Sequence, residues 1–485
     1  MRSLSASKPT YSAELEDEVT TIEIGTYDVL LPCRRYRVTF KVAEVGKVSL
    51  TTEFLLRLIH AVDGMPESEV AKFFGFNSQE MAFLLNDAVS LGYVIREAGR
   101  LWLTTAGRQL FVQGEDAPQI YDVETKTVIQ GFDMLSFSPE EKTWLEHFNF
   151  DSRLPELPID ATLASKARDR IPASFKRHFS TLMYKRDSRY APRKSLYSID
   201  NVTSSDRFTS IVPVVVKAIP SHPSLGEPDL LVWRSEEQLD RLSQITSAVA
   251  QFVHELRMDK PADAAEHYQI LADLAPEFMK DYTSGSGVAV ERFYRDVVAL
   301  KGGGFRSNRR TVPILGPLLC AKNLKLLFDG IERTGANSPV HCLPKKYYWR
   351  APQNRHWGMS RKLPHICSQI AEYLATKAGD DSPSPRSVLI QEGRCWGLDR
   401  AFSEVQDAPL GSIPSSVEII LIPGLAVAVL VHLPILATSG HAVPLGFISV
   451  DSQVVARAVA LLRESVPIEV PTEYITEDMI DLPSE

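Results

Sequence analysis

The longest apolar stretch of the chain runs from Val417 to Ile435, and Pro423-Gly424 divides it. A Pro-Gly pair inside an apolar run is a turn signal, so the pattern predicts two strands, Val417 to Ile422 and Leu425 to Leu433, folded as a hairpin. Ser387 to Gln391 and Val443 to Val450 are predicted as further apolar strands, and Asp451 caps an amphipathic helix from Ser452 to Glu464. Earlier in the chain, Tyr27 to Leu31 and Tyr36 to Val45 alternate in a strand-like way around Pro32. Ile211 to Ile219 and Leu230 to Trp233 also read as strands, and a hairpin is expected around Tyr121 to Ile129. Helical spacing is predicted over Pro139 to Phe148, Glu236 to Leu256, Ala262 to Tyr282, Val288 to Leu300, Ala321 to Ile331 and Arg361 to Lys377. Gly379 to Pro385, rich in Asp, Ser and Pro, is a loop.

Residues 47 to 112 carry a separate pattern. Phe54, Leu55, Leu58, Ile59 and Val62 recur at helical spacing over Thr51 to Val62, with Gly64 as a stop. Pro66, at the first helical position where its missing N–H costs nothing, opens a short helix through Phe74. Asn77 or Ser78 caps a third helix, Gln79 to Leu91; Tyr93 to Arg96 and Leu101 to Leu103 then flank a turn at Ala98-Gly99. Three helices followed by a two-stranded wing resemble a winged helix-turn-helix, and Leu103 to Arg108 is similar to the LTxxGR ending common in that superfamily. A DNA reader of this kind presents a basic or amide-rich third helix to the major groove. Here Gln79 to Leu91 contains Glu80 and Asp87 and no Lys or Arg, so use of the module for dimerisation or protein docking explains it at least as well.

A chain of 485 residues exceeds one ordinary core, and 44% hydrophobic content suits folded rather than disordered structure. The expected fold class is α/β (α+β mixed). The expected segments are N-terminal strands and winged helix (1–112), an α+β region (113–260), a helical region (261–380), a C-terminal α/β region (381–466) and an acidic tail (467–485). Val417 to Ile435 is broken by Pro423-Gly424, so no unbroken apolar run reaches the roughly 18 residues of a membrane helix, and Met1 to Thr20 lacks an apolar signal core. Five scattered cysteines, never spaced as CxxC, point to reduced thiols and a cytoplasmic setting. Cys342, His356, His365 and Cys367 match no standard metal-finger spacing, and small buried side chains are the plainer account of the cysteines.

Charge changes the picture more than any motif. The net charge is −8, yet Lys166 to Lys194 holds ten Lys or Arg against Asp169 and Asp187 (+8), and Val297 to Ala371 holds thirteen against Asp329 and Glu332 (+11). The rest of the chain therefore carries −27. Such segregation points to polyanions, nucleic acid first. Aromatics interleave with the cations, which suits stacking on unpaired bases. The candidate contacts are Lys176, Arg177, Lys185, Arg186 and Arg189 in the first stretch. In the second they are Arg306, Arg309, Arg310, Lys345, Lys346, Tyr348, Trp349, Arg350, Arg355, Trp357 and Arg361. For either stretch alone, a solvated face whose aromatics point into the core explains the residues equally well; the two together favour polyanion binding. Lys301-Gly302-Gly303-Gly304-Phe305-Arg306 is no P-loop, but its amides can wrap a phosphate.

The order strand, hairpin, PLGFISVD (Pro444 to Asp451) and helix, over Arg386 to Ser465, resembles the C-terminal half of a phospholipase-D-like domain, and the resemblance implies that segment 381–466 is a phospholipase-D-like region. Such domains occur fused to winged helices in prokaryotic regulators. That chemistry needs HxK, and none of the eleven histidines has Lys two positions on; His432, in the hairpin, is followed by Leu433-Pro434. HExxH and GxSxG are also absent, so no catalytic residue, metal or cofactor is assigned. Asp122, Glu124 and Lys126, after Asp116, offer a nuclease-like triplet, although charged strands produce such triplets by chance. The function expected is that of a non-catalytic nucleic-acid-binding subunit in a prokaryotic multi-protein system, with antiviral defence as its context by analogy, beside a motor or nuclease. DNA stands ahead of RNA as ligand. A protein partner or second copy is expected through the winged helix or acidic tail, and no membrane contact. The alternatives are a ligand-sensing transcription regulator and a metal-dependent nuclease.

Overall fold

A computed structural model describes residues 21–45, 49–111, 118, 121–141, 148–184, 194–285, 287–299, 303–335, 343–378, 384–393 and 397–471. Helices and strands are mixed throughout. The chain divides into two units built from separated segments: Met1–Leu31, Thr143–Pro158 and Thr209–Glu485 in the first, Pro32–Lys142 and Ile159–Phe208 in the second.

The first unit is organised by a seven-stranded mixed sheet. Its strands lie in the order Thr311–Leu315, Val443–Ser449, Ala426–Leu433, Val417–Ile422, Lys346–Arg350, Arg386–Gln391 and Glu404–Asp407. Pro423-Gly424 turns the expected hairpin, with Ile422 opposite Ala426. Lys346–Arg350 runs antiparallel to Val417–Ile422 on one side and parallel to Arg386–Gln391 on the other. Every residue of the three strands Val417–Ile422, Ala426–Leu433 and Val443–Ser449 is buried, which is why they read as mostly apolar and do not alternate with polar residues.

Helices cover both faces. Leu327 and Ile331 from Ala321–Gly335, and Leu363, Ile366 and Ile370 from Lys362–Ala378, join Trp349, Ile420 and Leu430 in one core. Ala264–Leu274 and Ser452–Arg463 pack on the opposite face, where Phe278 meets Phe447 at 5.8 Å. Asp451 caps the latter helix through the amide of Gln453.

In the second unit, Tyr121–Asp133 pairs antiparallel with residues 33–45 of the strand Ile22–Val45. The helix Ala161–Tyr184 lays Ile171, Phe175 and Phe179 on Val38 and Phe40, with ring separations of 5.1 and 5.7 Å to Phe40. A separate module holds helices Leu50–Ala61, Glu67–Phe74 and Ser78–Ser90, then the hairpin Val94–Glu97 and Arg100–Leu103. Met65–Pro66 adds a third strand beside Arg100–Leu103. Asn77 accepts from the amides of Gln79 and Glu80, while the Glu80 carboxylate accepts from the Asn77 amide, closing a capping box.

Several expectations need correction. Pro32 does not split the first strand: Ile22–Val45 is continuous, and the Pro32 carbonyl accepts from Met134. The hairpin expected around Tyr121 to Ile129 is one long strand, since that stretch has no Gly or Pro to turn it. Pro66 precedes its helix as the cap residue and pairs with Arg100. Leu230 to Trp233 is a turn, and Glu236 to Leu256 breaks into Glu236–Asp240 and Ser243–Glu255. Ala262 to Tyr282 breaks at Pro276, which cannot donate to the preceding turn. Of the helix expected over Pro139 to Phe148, most lies outside the described residues; Phe148–Asp151 is helical. Segments 261–380 and 381–466 do not separate, because strands from both alternate in one sheet.

The capping box gives a direct test. Asn77→Ala removes the acceptor for two orphan amides, so local stability of Ser78–Ser90 should fall by about 1 kcal/mol, measured by hydrogen exchange of its amides.

Candidate functional site

The helix Ala161–Tyr184 turns its apolar side inward, which places its cations outward. Lys166, Arg170 and Arg177 follow one another at intervals of four and seven residues, with Lys176 alongside, and all four are exposed. Asp169 is the acidic interruption. Arg170, Lys176 and Arg177 have no ion-pair partner among the described residues. From Lys166 to Arg177 the ridge spans roughly 16 Å of helix axis, about the length of five base pairs. Lys185, Arg186 and Arg189 lie outside the described residues.

The second basic stretch has a different fate. Tyr348 and Trp349 are fully buried, Arg350 is 1% exposed and Trp357 is buried beside them. None of the four can present a face to a base. The energetics favour this outcome: burying a large side chain is worth about 1.5–3 kcal/mol whether or not a ligand is present, and stacking returns about 1–3 kcal/mol only when a base is bound. Lys346 sits between Glu404 and Glu469, both at 3.0 Å, and these carboxylates hold its ammonium pKa above the ordinary value. Arg355 pairs with Glu255 and Arg361 with Asp28. Lys345, Arg306 and Arg310 are exposed, and Arg309 is half-buried, its guanidinium packed against Gly303 where a Cβ would collide. The expected aromatic-and-basic surface of residues 345–361 is therefore corrected to a buried strand with a few paired cations.

Two sets of interior polar groups lie on opposite faces of the sheet. On one face of the sheet Arg350 donates to Glu392 (2.9 Å), to the Ile413 carbonyl (2.9 Å) and to the Val417 carbonyl. Glu392 also accepts from Gly411 and Ser412, so the ion pair is hydrogen-bonded on both sides. On the other face Glu418, 1% exposed, accepts from Trp349 Nε1 (2.9 Å), Trp357 Nε1 (3.4 Å) and His432 Nε2 (2.6 Å). Sheet register explains the meeting. Trp349 stands opposite Ile420 and Leu430 opposite Glu418, so Trp349, Glu418 and His432 project from one face.

His432 lines a cavity of about 260 Å³ together with Tyr27, Arg257, Asn354, Trp357 and His441. Sequence reading passed over this site; a Glu and a His inside apolar strands were its visible signal. His441 accepts from the Gly226 amide and approaches the Val253 carbonyl at 2.9 Å, and burial holds its pKa below the usual histidine value. Lys126 pairs with Glu124 at 3.1 Å, and Asp116 and the side chain of Asp122 lie outside the described residues. No cluster of metal-ligating side chains occurs among the described residues, and Cys342 is outside them. No helix among them is long and apolar enough to cross a membrane. Comparison with protein families, characterised proteins and solved structures finds no match to this chain.

Arg350→Ala should destabilise the first unit by about 3–5 kcal/mol, because it leaves the Glu392 charge buried alone. Arg350→Met with Glu392→Leu should recover most of that stability in urea unfolding. His441 predicts a pH dependence. Its folded pKa is depressed, so its contribution is complete above the unfolded value of 6.5 and is lost as pH falls through the folded one. The urea midpoint should therefore drop on acidification, less steeply in His441→Gln.

Proposed function

We propose that the chain is a nucleic-acid-binding protein that grips the phosphate backbone through the exposed face of Ala161–Tyr184, DNA ahead of RNA. The observation that carries this reading is the set Arg170, Lys176 and Arg177, exposed and without ion-pair partners among the described residues. Each phosphate neutralised releases counterions, so such a ridge gives affinity with little sequence preference. The burial of Tyr348, Trp349 and Trp357 removes the stacking platform that single strands need, and the reading accordingly favours duplex.

The module over residues 49–111 is read as a winged helix. Its third helix exposes Gln79, Phe83 and Asn86 without a cation, which supports protein docking or dimerisation over base reading. The strand, hairpin, strand and helix at the C-terminal end are read as a phospholipase-D-like arrangement lacking HxK. A non-catalytic role in a prokaryotic multi-protein defence system rests on those two resemblances. The cavity at His432 favours a second reading, a ligand-responsive regulator, for which a footprint at a defined operator is the discriminating result.

Reversing charge at Arg170, Lys176 and Arg177 tests the first reading. The three sites are exposed, so the thermal midpoint should hold. The slope of log affinity against log salt should become shallower by about 0.9 for each phosphate that is no longer neutralised. Unchanged affinity for duplex DNA in a gel-shift titration would overturn the site.

A further inference from the structure

One cavity of the first unit is lined by polar groups that the chain itself leaves unanswered. At about 260 Å³ it falls just below the roughly 300–1,000 Å³ of sites for drug-sized ligands. His432, 4% exposed, lines it. Three donors converge on Glu418, which suits a carboxylate that only accepts, so His432 Nε2 carries the hydrogen. Nδ1 has no hydrogen-bond partner among the described residues. The Tyr27 hydroxyl also lacks one; its ring packs edge-on to Phe252, and burial pushes its pKa up to about 12, so it stays a donor.

Charged and titratable groups surround His432 in this cavity. Glu418 on the adjacent strand is answered by its three donors. Arg355 is tied to Glu255. His441, which the Gly226 amide bonds through Nδ1, is held neutral by burial. Arg257, exposed, has no ion pair among the described residues. The cavity thus offers one uncompensated guanidinium and one imidazole able to take a proton. A single negative charge balances that set, with the imidazolium offsetting Glu418. A phosphate dianion would bring a second charge into a space walled partly by Ile24, Val216 and Met258, where an unpaired charge is costly.

We propose that this cavity binds a small organic monocarboxylate, its carboxylate held between Arg257 and the Nδ1–H of a protonated His432, its apolar body against Ile24, Met258 and Trp357. Binding takes up one proton, which lodges on Nδ1. Glu418 is a positioning residue that fixes the ring and balances the imidazolium. The lining contains no Ser, Thr, Cys or Lys among the described residues, so the site is one of binding and no covalent step is involved.

The test uses the full chain with ¹⁵N-labelled histidine, the His432 signals being assigned by their disappearance in His432→Gln. Acetate, benzoate and indole-3-acetate are titrated, with benzamide and inorganic phosphate as controls. At least one carboxylate should shift His432, and calorimetry in buffers of different ionisation enthalpy should show proton uptake. Arg257→Ala, at an exposed position, should weaken that binding about tenfold or more without moving the thermal midpoint. Benzamide should be silent. The proposal is overturned if no carboxylate shifts His432 up to tens of millimolar, if phosphate binds more tightly than every carboxylate, or if Arg257→Ala has no effect.

Discussion

The Lys346–Arg350 strand has a neighbour on each edge and a covering layer on each face. Every polar atom it carries must find its partner inside the protein. Tyr347 donates to the Cys367 carbonyl, the Tyr348 hydroxyl accepts from the Glu469 amide, Trp349 donates to Glu418, and Arg350 to Glu392. This one requirement sets the polar contacts around the strand. It draws Glu418 and Glu392 into the interior, and through Glu418 it fixes the imidazole of His432.

Burial of that strand also takes much of the second basic stretch away from solvent. The densest run of cations and aromatics in the sequence is consumed by the core and by ion pairs with Glu392, Glu404, Glu469 and Glu255. Ala161–Tyr184 instead keeps its cations at the surface, because the helical period separates apolar from basic residues. Charge segregation along the chain therefore becomes an exposed basic face in one stretch and a largely buried strand in the other. The difference lies in the period. A helix can hide its Phe and show its Lys, whereas a strand covered on both faces hides everything.

The buried pairs also separate stability from function. Arg350–Glu392 is enclosed and saturated with hydrogen bonds, with no open position for a ligand, so it acts in folding. Glu418–His432 is saturated on the carboxylate alone, and the imidazole keeps one nitrogen for the cavity.

The sequence by itself determined the elements whose signals are local. The Pro423-Gly424 hairpin, the Asp451 and Asn77 caps, and three helices followed by a hairpin at residues 50–103 were all legible, because turn, cap and periodicity act within a few residues. Tertiary structure alone decided that residues 346–350 lie inside a sheet and that Glu418 meets His432 across a strand pair. Each of these depends on which segments lie side by side. Pairing over tens or hundreds of residues leaves no periodic trace in the chain, and neither the partner of a buried charge nor the emptiness beside an imidazole is written in any one segment.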